Sequence, residues 1–344
     1  MSLKNLSATI KIPNILKDKL KNKKITQIYK RFEKSIDLKE RFIVAVSGGP
    51  DSLALAFLSK IYSIKKNLDT KFFIVDHKLR NGSTDEALKV KRILRKFKIN
   101  VKILTWVGRK PNKNIQSIAR IARYDLLFSK SRQLGINYIL TGHQQGDLIE
   151  NFFIRMLRGS GLKGLISFAD LSINLEDNFR ILRPLIKIQK KELIYISKSV
   201  FNFFVNDPSN ENLGFQRSRI RKLILDLENE GLDKKKLDLT IKNLKCANDG
   251  INFYVKKNIK NNAKFVGKKK TYILNKYFFN QSEEVIFRSI SFVLKKISGR
   301  YYSPRGKSIS DSMVKINSLK CKRFTLGGCF IEKINETVFI TREN

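Results

Sequence analysis

From Phe42 onward the chain alternates short apolar runs with longer stretches in which apolar residues recur every three or four positions. The segments Phe42 to Val46, Phe72 to Val75, Val101 to Leu104 and Tyr138 to Leu140 read as strands. Between and after them, Leu53 to Tyr62, Asp85 to Phe97, Ser117 to Leu134 and Asp147 to Leu157 carry the helical period. Repeated strand–helix units of this length predict an α/β fold with a doubly wound parallel sheet, whose ligands collect beyond the carboxyl ends of its strands. Chemistry is therefore expected just after each strand. The first forty residues, Lys-rich with scattered Leu, Ile and Phe, predict a helical lead-in. Beyond Arg221 the pattern turns helical and lysine-dense, then strand-like from Arg323 to Thr341, which places a boundary between 217 and 235. The expected organisation is a lead-in at 1–40, a catalytic α/β domain at 41–225 and a basic helical or mixed domain at 226–344.

The positions after the strands hold the unusual residues. Ser47-Gly48-Gly49-Pro50-Asp51-Ser52 stands between the first strand and an apolar helix. Adjacent glycines let the backbone approach a ligand, helix-start N–H groups form an anion site, and the hydroxyls add donors, so phosphate is the expected occupant. No lysine closes the loop in the Walker A manner. Asp51 is a candidate to hold Mg²⁺ against the phosphates. The chain has two histidines, His77 and His143, and each follows a predicted strand at the edge that carries this loop. If Asp147 to Leu157 is helical, Ile149, Phe152, Phe153 and Met156 form its buried stripe. Asp147 and Glu150 then share the other face near the helix start, where with His143 they could bind a cation or an amine.

Charge changes the picture of the partner. Seventy Lys and Arg against thirty Asp and Glu give a formal net charge of +40, and Lys256 to Lys276 holds eight lysines and no carboxylate. A surface of this kind attracts phosphate backbones, so a nucleic-acid partner is expected. Arg217, Arg219 and Arg221 read either as helix-surface charge or as phosphate contacts. Lys256, Lys257, Lys264 and Lys268 to Lys270 would extend such a track, with Phe265 and Tyr272 either core residues or base-stacking platforms. Three cysteines, Cys246, Cys321 and Cys329, form no CxxC pair, so neither a disulfide framework nor a metal knuckle is indicated. No apolar run approaches a membrane span and no secretory leader is visible, which makes a cytoplasmic, membrane-free protein the expectation.

The loop residues 47–52 resemble the SGGxDS signature of the PP-loop pyrophosphatase superfamily. The remainder resembles one member family, the tRNA(Ile)-lysidine synthetases: Val75-Asp76-His77-Lys78-Leu79-Arg80, Arg120-x-x-Arg123-Tyr124, and His143 through Leu157 followed by Arg158-Gly159-Ser160-Gly161-Leu162-Lys163-Gly164-Leu165. Further matches are Arg183-Pro184-Leu185, Asp207-Pro208-Ser209-Asn210 and Arg217-Ser218-Arg219-Ile220-Arg221, and Thr325-Leu326-Gly327-Gly328-Cys329 resembles the close of the family's first C-terminal domain. Where the family reads HHxDDQxET, this chain reads His143-Gln144-Gln145-Gly146-Asp147-Leu148-Ile149-Glu150-Asn151. It thus lacks the second histidine, the first aspartate and the glutamine. No counterpart of the additional C-terminal domain of longer members is expected.

The resemblance implies a two-step ligase acting on a tRNA(Ile) with a CAU anticodon. ATP adenylates the C2 oxygen of the wobble cytosine, and the ε-amine of free L-lysine then displaces AMP to give lysidine, shifting codon recognition from AUG to AUA. It assigns Ser47, Gly48, Gly49, Pro50, Asp51, Ser52 and His77 to ATP, Asp51 to Mg²⁺, and Arg120 and Arg123 to charge developing at the α-phosphate or base. Asp147 and Glu150 would bind the lysine, whose ammonium, with a pKa of roughly 10.4, must lose a proton before attack. Asp147, Glu150 and His143 all remain open as its acceptor. Arg217, Arg219, Arg221, Lys268, Lys269 and Lys270 are assigned to tRNA. Two alternatives stand beside this reading. A tRNA 2-thiolase of the same superfamily would call for a cysteine near the site, and residues 1–245 contain none. A basic RNA-binding protein with impaired catalysis is the other. The oligomeric state stays open, a homodimer included.

Overall fold

The structure is a computed structural model that describes residues 12–79, 82–108, 115–169, 172–174, 179–206, 214–267, 270–300, 303–318 and 323–343. The chain divides into two compact units, residues 1–238 and 239–344. The first begins with helices α1 (Asn14–Leu20) and α2 (Lys23–Ser35). Asn22 caps α2 by accepting the N–H groups of Lys24 and Ile25. Ile25, Ile28, Tyr29 and Phe32, at helical spacing, are all buried, and Phe32 meets Tyr62 edge-on with centroids 6.2 Å apart. These helices are therefore more than a lead-in, since they supply part of the first unit's core. Each such side chain contributes about 1.5–3 kcal/mol by leaving water.

The sheet of this unit is built from β1 (Phe42–Val46), β2 (Thr70–Asp76), β3 (Val101–Thr105), β4 (Tyr138–Leu140), β5 (Ser172–Asn174) and β6 (Arg180–Leu182). Its order is β3-β2-β1-β4-β6-β5, and every pairing is parallel except that of β5 with β6. The intervening helices are α3 (Pro50–Lys65), α4 (Ser83–Lys96), α5 (Ile115–Leu134), α6 (Gln145–Met156), α7 (Leu162–Leu165) and α8 (Lys190–Phe201), and α9 (Gln216–Asn229) follows. Phe42, Ile43 and Val44 are fully buried because β1 is central, and α3 is buried from Ser52 through Ser59. Buried parallel strands read as plain apolar runs, which is why β1, β2 and β4 were visible in the sequence, whereas β3, at the sheet edge, buries only Val101. The expected parallel, doubly wound sheet is thus present, with one antiparallel edge strand added.

Helix α10 (Lys234–Asn262) enters the second unit, which continues with β7 (Ala263–Val266), β8 (Thr271–Leu274), α11 (Glu283–Ser298), α12 (Gly306–Asn317), β9 (Arg323–Leu326), β10 (Cys329–Ile334) and β11 (Thr337–Arg342). The strands form an antiparallel sheet in the order β7-β8-β11-β10-β9. Gly327 and Gly328, at φ +63° and +81°, turn β9 into β10, as a two-residue hairpin requires. Tyr272 is 3% exposed and belongs to this unit's core, whereas Phe265 is 45% exposed. That removes Tyr272 as a base-stacking platform. Among the described residues, no helix is long and apolar enough to cross a membrane.

Candidate functional site

Strand order reverses at β1, whose neighbours β2 and β4 lie on opposite sides, so the loops after β1 and β4 open a crevice at the carboxyl edge. In the first loop, Gly48 has φ +85°, and a Cβ there would stand 2.7 Å from Val90 and 3.0 Å from Val205. Gly49 is the N-cap of α3 and Pro50 its first residue. The Ser52 hydroxyl accepts the Ser47 N–H at 3.0 Å and donates to the Gly49 carbonyl at 3.0 Å. Ser52 thereby holds the curve of the loop around the start of α3, the arrangement that binds anions.

Asp51, in the first turn of α3, accepts from the Lys190 ammonium at 2.7 Å through Oδ2, while its Oδ1 is buried with no partner among the described residues. Burial pushes its carboxyl up to about 6 even though Lys190 pulls the other way. An orphaned carboxylate oxygen beside an anion-binding turn suits Mg²⁺, which typically takes one or two carboxylates together with substrate phosphates. No cluster of three potential metal ligands exists among the described residues.

The second loop lies against the first: a Cβ on Gly142 would stand 3.2 Å from the Ser52 backbone. His143 shares a hydrogen bond with Thr141 Oγ1 through Nδ1 at 2.8 Å and sets its ring edge-on to Phe168, centroids 5.0 Å apart. The Arg183 guanidinium lies 3.8 Å from the centroid of that same Phe168 ring. Burial first, then the charges of Arg183, Arg120, Arg217 and Arg123, hold His143 well below the usual imidazole range. It is a neutral base or hydrogen-bonding group at physiological pH. His77, just beyond β2, is lowered to about 4 by burial and by Arg123, and neither of its ring nitrogens has a partner among the described residues. Its neighbour Asp76 ties down the turn by accepting from Lys78 N–H (3.0 Å), Ser83 (2.8 Å) and Thr84 (2.6 Å).

The departures from the HHxDDQxET pattern have a structural use. Gln144 caps α6 by accepting the Gly146 N–H at 2.6 Å, and its own N–H donates to Asp147 Oδ2 at 3.0 Å, which closes a capping box. Gln145 donates to Asp238. Asp147 is therefore partly committed to the helix start. Glu150, on the face it was expected to share with Asp147, is only 5% exposed. Helix α9 packs on α6 and brings Arg221 onto both oxygens of Glu150, Nε at 2.6 Å and Nη2 at 3.3 Å. Burial raises the Glu150 pKa, and Arg221 offsets part of that rise. Met156, expected in the buried stripe, is 47% exposed, while Leu148 joins Ile149, Phe152 and Phe153 inside.

The structure thus gathers Ser47 to Ser52, His77, Arg120, Arg123, His143, Asp147, Glu150, Arg217 and Arg221 around one edge of the first unit. Arg120 stacks on Tyr124, 5.1 Å from the ring centroid, and the charge of Arg217 acts on both His143 and Glu150. Arg219 turns away, donating to the Gly214 carbonyl at 3.0 Å. Arg221 pairs with Glu150 while its side chain stays 39% exposed. Lys256, Lys257, Lys264 and Lys270 are exposed on the second unit. Arg80, Asp207 to Asn210, Lys268, Lys269 and Cys321 lie outside the described residues. Sequence reasoning missed Lys190, one cation in a chain with seventy Lys and Arg, and the Phe168 ring that joins His143 to Arg183.

The sequence matches the PP-loop domain family over residues 18–228. It is 32% identical over 314 residues to the tRNA(Ile)-lysidine synthase of Orientia tsutsugamushi (strain Boryong), covering 88% of this chain and 70% of that protein. To the enzyme of that name from Rickettsia felis (strain URRWXCal2) it is 32% identical over 327 residues, covering 92% and 74%. With that from Bradyrhizobium sp. (strain BTAi1) the match is 37% over 210 residues, and there the chain spans only 58% of the relative. Among solved structures, the U34-tRNA thiolase NcsA from Methanococcus maripaludis has a TM-score of 0.55 at 18% identity, covering 64% of this chain and 79% of that one. That likeness is one of fold.

Proposed function

The chain belongs to the tRNA(Ile)-lysidine synthase family and carries its PP-loop domain, and from that premise we propose that it ligates L-lysine to C2 of the wobble cytidine of a CAU-anticodon tRNA(Ile) at the expense of ATP. The observation that carries this reading is the direct apposition of the two loops, Gly142 on Ser52, which sets an anion-binding turn beside His143, Asp147 and Glu150. In the first step the cytosine O2 attacks the α-phosphorus of ATP, and pyrophosphate leaves with its electron pair. Backbone N–H groups at the start of α3 hold the phosphates, and neutral His77 hydrogen-bonds the nucleotide. Arg120 and Arg123 stabilise charge growing at the α-phosphate. Mg²⁺, held by Asp51, would screen the phosphate charges from one another.

In the second step the lysine ε-amine forms the bond to C2 as the C2–O bond breaks and AMP departs. Asp147 binds the incoming ammonium, and Glu150, made more basic by burial, accepts its proton. Arg221 keeps the Glu150 carboxylate oriented. Neutral His143 contributes a hydrogen bond at the reacting base. The altered motif suits this scheme, because Gln144 and Gly146 build the start of α6 while His143, Asp147 and Glu150 keep their stations.

The test is incorporation of radiolabelled L-lysine into an unmodified CAU tRNA(Ile) transcript with ATP and Mg²⁺, beside a transcript with uridine at the wobble position. Label on the cytidine transcript alone is expected. Tight, salt-sensitive tRNA binding with neither label nor pyrophosphate release would replace the ligase with an RNA-binding protein. ATP-dependent sulfur transfer to the transcript would replace it with a thiolase.

A further inference from the structure

Helix α8 is fastened to the phosphate loop along its length. Ser197 donates to the Pro50 carbonyl at 2.7 Å, Val205 just beyond the helix donates to the Gly48 carbonyl at 3.0 Å, and Phe201 meets Phe57 of α3 edge-on, centroids 6.4 Å apart. The amino end of α8 carries Lys190, whose ammonium reaches Asp51 at 2.7 Å.

Helix stability does not account for a lysine there. A cation in the first turn opposes the helix dipole, and the favourable acidic residue of that turn is already supplied by Glu192, which closes the α8 capping box. The ion pair with Asp51 does not account for it either. The Lys190 side chain is 48% exposed, and half-exposed pairs contribute little to stability. What the location does provide is a cation beside the first turn of α3, where the N–H groups of the anion-binding turn converge. Asp51 and Lys190 are then two halves of one arrangement: a carboxylate with an orphaned oxygen for a metal cation, and an ammonium for the phosphate oxygens that the metal cation leaves bare.

We propose that Lys190 is a phosphate ligand of the nucleotide site, contacting the pyrophosphate portion of ATP and neutralising the charge that collects there as the bond from the α-phosphorus to the bridging oxygen breaks. No proton moves in this step, because the ammonium acts by charge and hydrogen bonding alone. The inference rests on the reading of residues 47–52 as the ATP loop, and it adds a ligand outside that loop.

The experiment is calorimetric titration of the full chain with inorganic pyrophosphate, ATP and AMP, each in excess MgCl₂ and without tRNA or lysine, for the wild type, Lys190→Met and Lys190→Arg. Removing one charge-assisted hydrogen bond should weaken pyrophosphate and ATP by about ten- to hundredfold in Lys190→Met. AMP, which lacks the departing portion, should change less than about twofold, because it does not reach the ammonium. Lys190→Arg should restore most of the pyrophosphate affinity. Unchanged pyrophosphate affinity in Lys190→Met would reduce Lys190 to a surface partner of Asp51. Equal losses for pyrophosphate and AMP would mean that it merely orders the loop, and either result overturns the proposal. A wild type that binds neither ATP nor pyrophosphate would instead remove the ATP reading itself.

Discussion

Glu150 and Arg221 meet through both carboxylate oxygens although 71 residues of chain separate them. A buried carboxylate with a guanidinium on one side is still able to accept a further donor on the other, since it offers about four lone-pair directions. Glu150→Gln keeps the shape but removes the charge and the proton acceptor. The KM for lysine should therefore rise about tenfold or more while the KM for ATP changes little, and equal changes in both would sink the assignment. Asp51 has a different signature. Its carboxyl binds a proton more tightly in the folded chain, at about 6, than in the unfolded one. The favourable contribution is thus present below pH ~4 and is lost as pH rises through 6, above which the buried carboxylate costs stability. Asp51→Asn should raise unfolding stability at pH 7.5 by about 1–3 kcal/mol, a gain that fades toward pH 4 in denaturant melts, while abolishing ligation. A variant less stable than wild type at pH 7.5 would contradict this.

At the scale of elements, the phosphate loop and the turn before α6 press on each other with little room to spare. Gly142→Ala brings a methyl group to 3.2 Å from the Ser52 backbone, so the loop has to shift by a few tenths of an ångström. Misplacement of this size should lower kcat/KM for ATP by about tenfold or more and cost about 1–3 kcal/mol of stability. Steady-state kinetics beside a thermal melt would check it, and unchanged ATP kinetics would show the packing there to be slack. The parts of the fold that the sequence made legible were those whose surroundings are uniform. β1 is buried on both faces and reads as an apolar run, and the glycine loop carries its own chemistry. Other elements were hidden for physical reasons: β5 (Ser172–Asn174) holds a single apolar residue, β6 (Arg180–Leu182) opens on a charged one, and β7 and β8 lie inside the lysine-dense stretch whose pattern reads as helical. That α9 covers the face of α6 that carries Glu150 could not be read from the sequence, because α9 arrives from far along the chain. Lys190 resembled every other lysine until α8 placed it against Asp51.

The whole molecule adds a field to these contacts. The net charge is +40, and the exposed lysines of the second unit include Lys256, Lys257 and Lys264. At the amino-terminal edge of the first unit's sheet, a cleft of about 620 Å³ is walled by Lys60, Lys71, Lys91, Arg95 and Lys98, so basic surface extends well beyond the carboxyl edge. Binding of tRNA should weaken steeply with salt. Replacing Lys256, Lys257 and Lys264 together by Gln should make the slope of log K against log salt shallower by about 2–3, roughly one for each phosphate no longer neutralised. An unaltered slope would clear that surface of any part in holding RNA. Within the site the charges are tied to one another as well. Arg221 stands in the fields of Glu150, Asp147 and Asp51 at once. Whatever occupies Asp51 changes the charge that Arg221 feels, and with it the hold that Arg221 keeps on Glu150. Under the function proposed above, ATP beside Asp51 and lysine beside Glu150 would then be thermodynamically linked. By reciprocity, the factor by which ATP alters the affinity for lysine would then equal the factor by which lysine alters the affinity for ATP, and one guanidinium would make each an effector of the other.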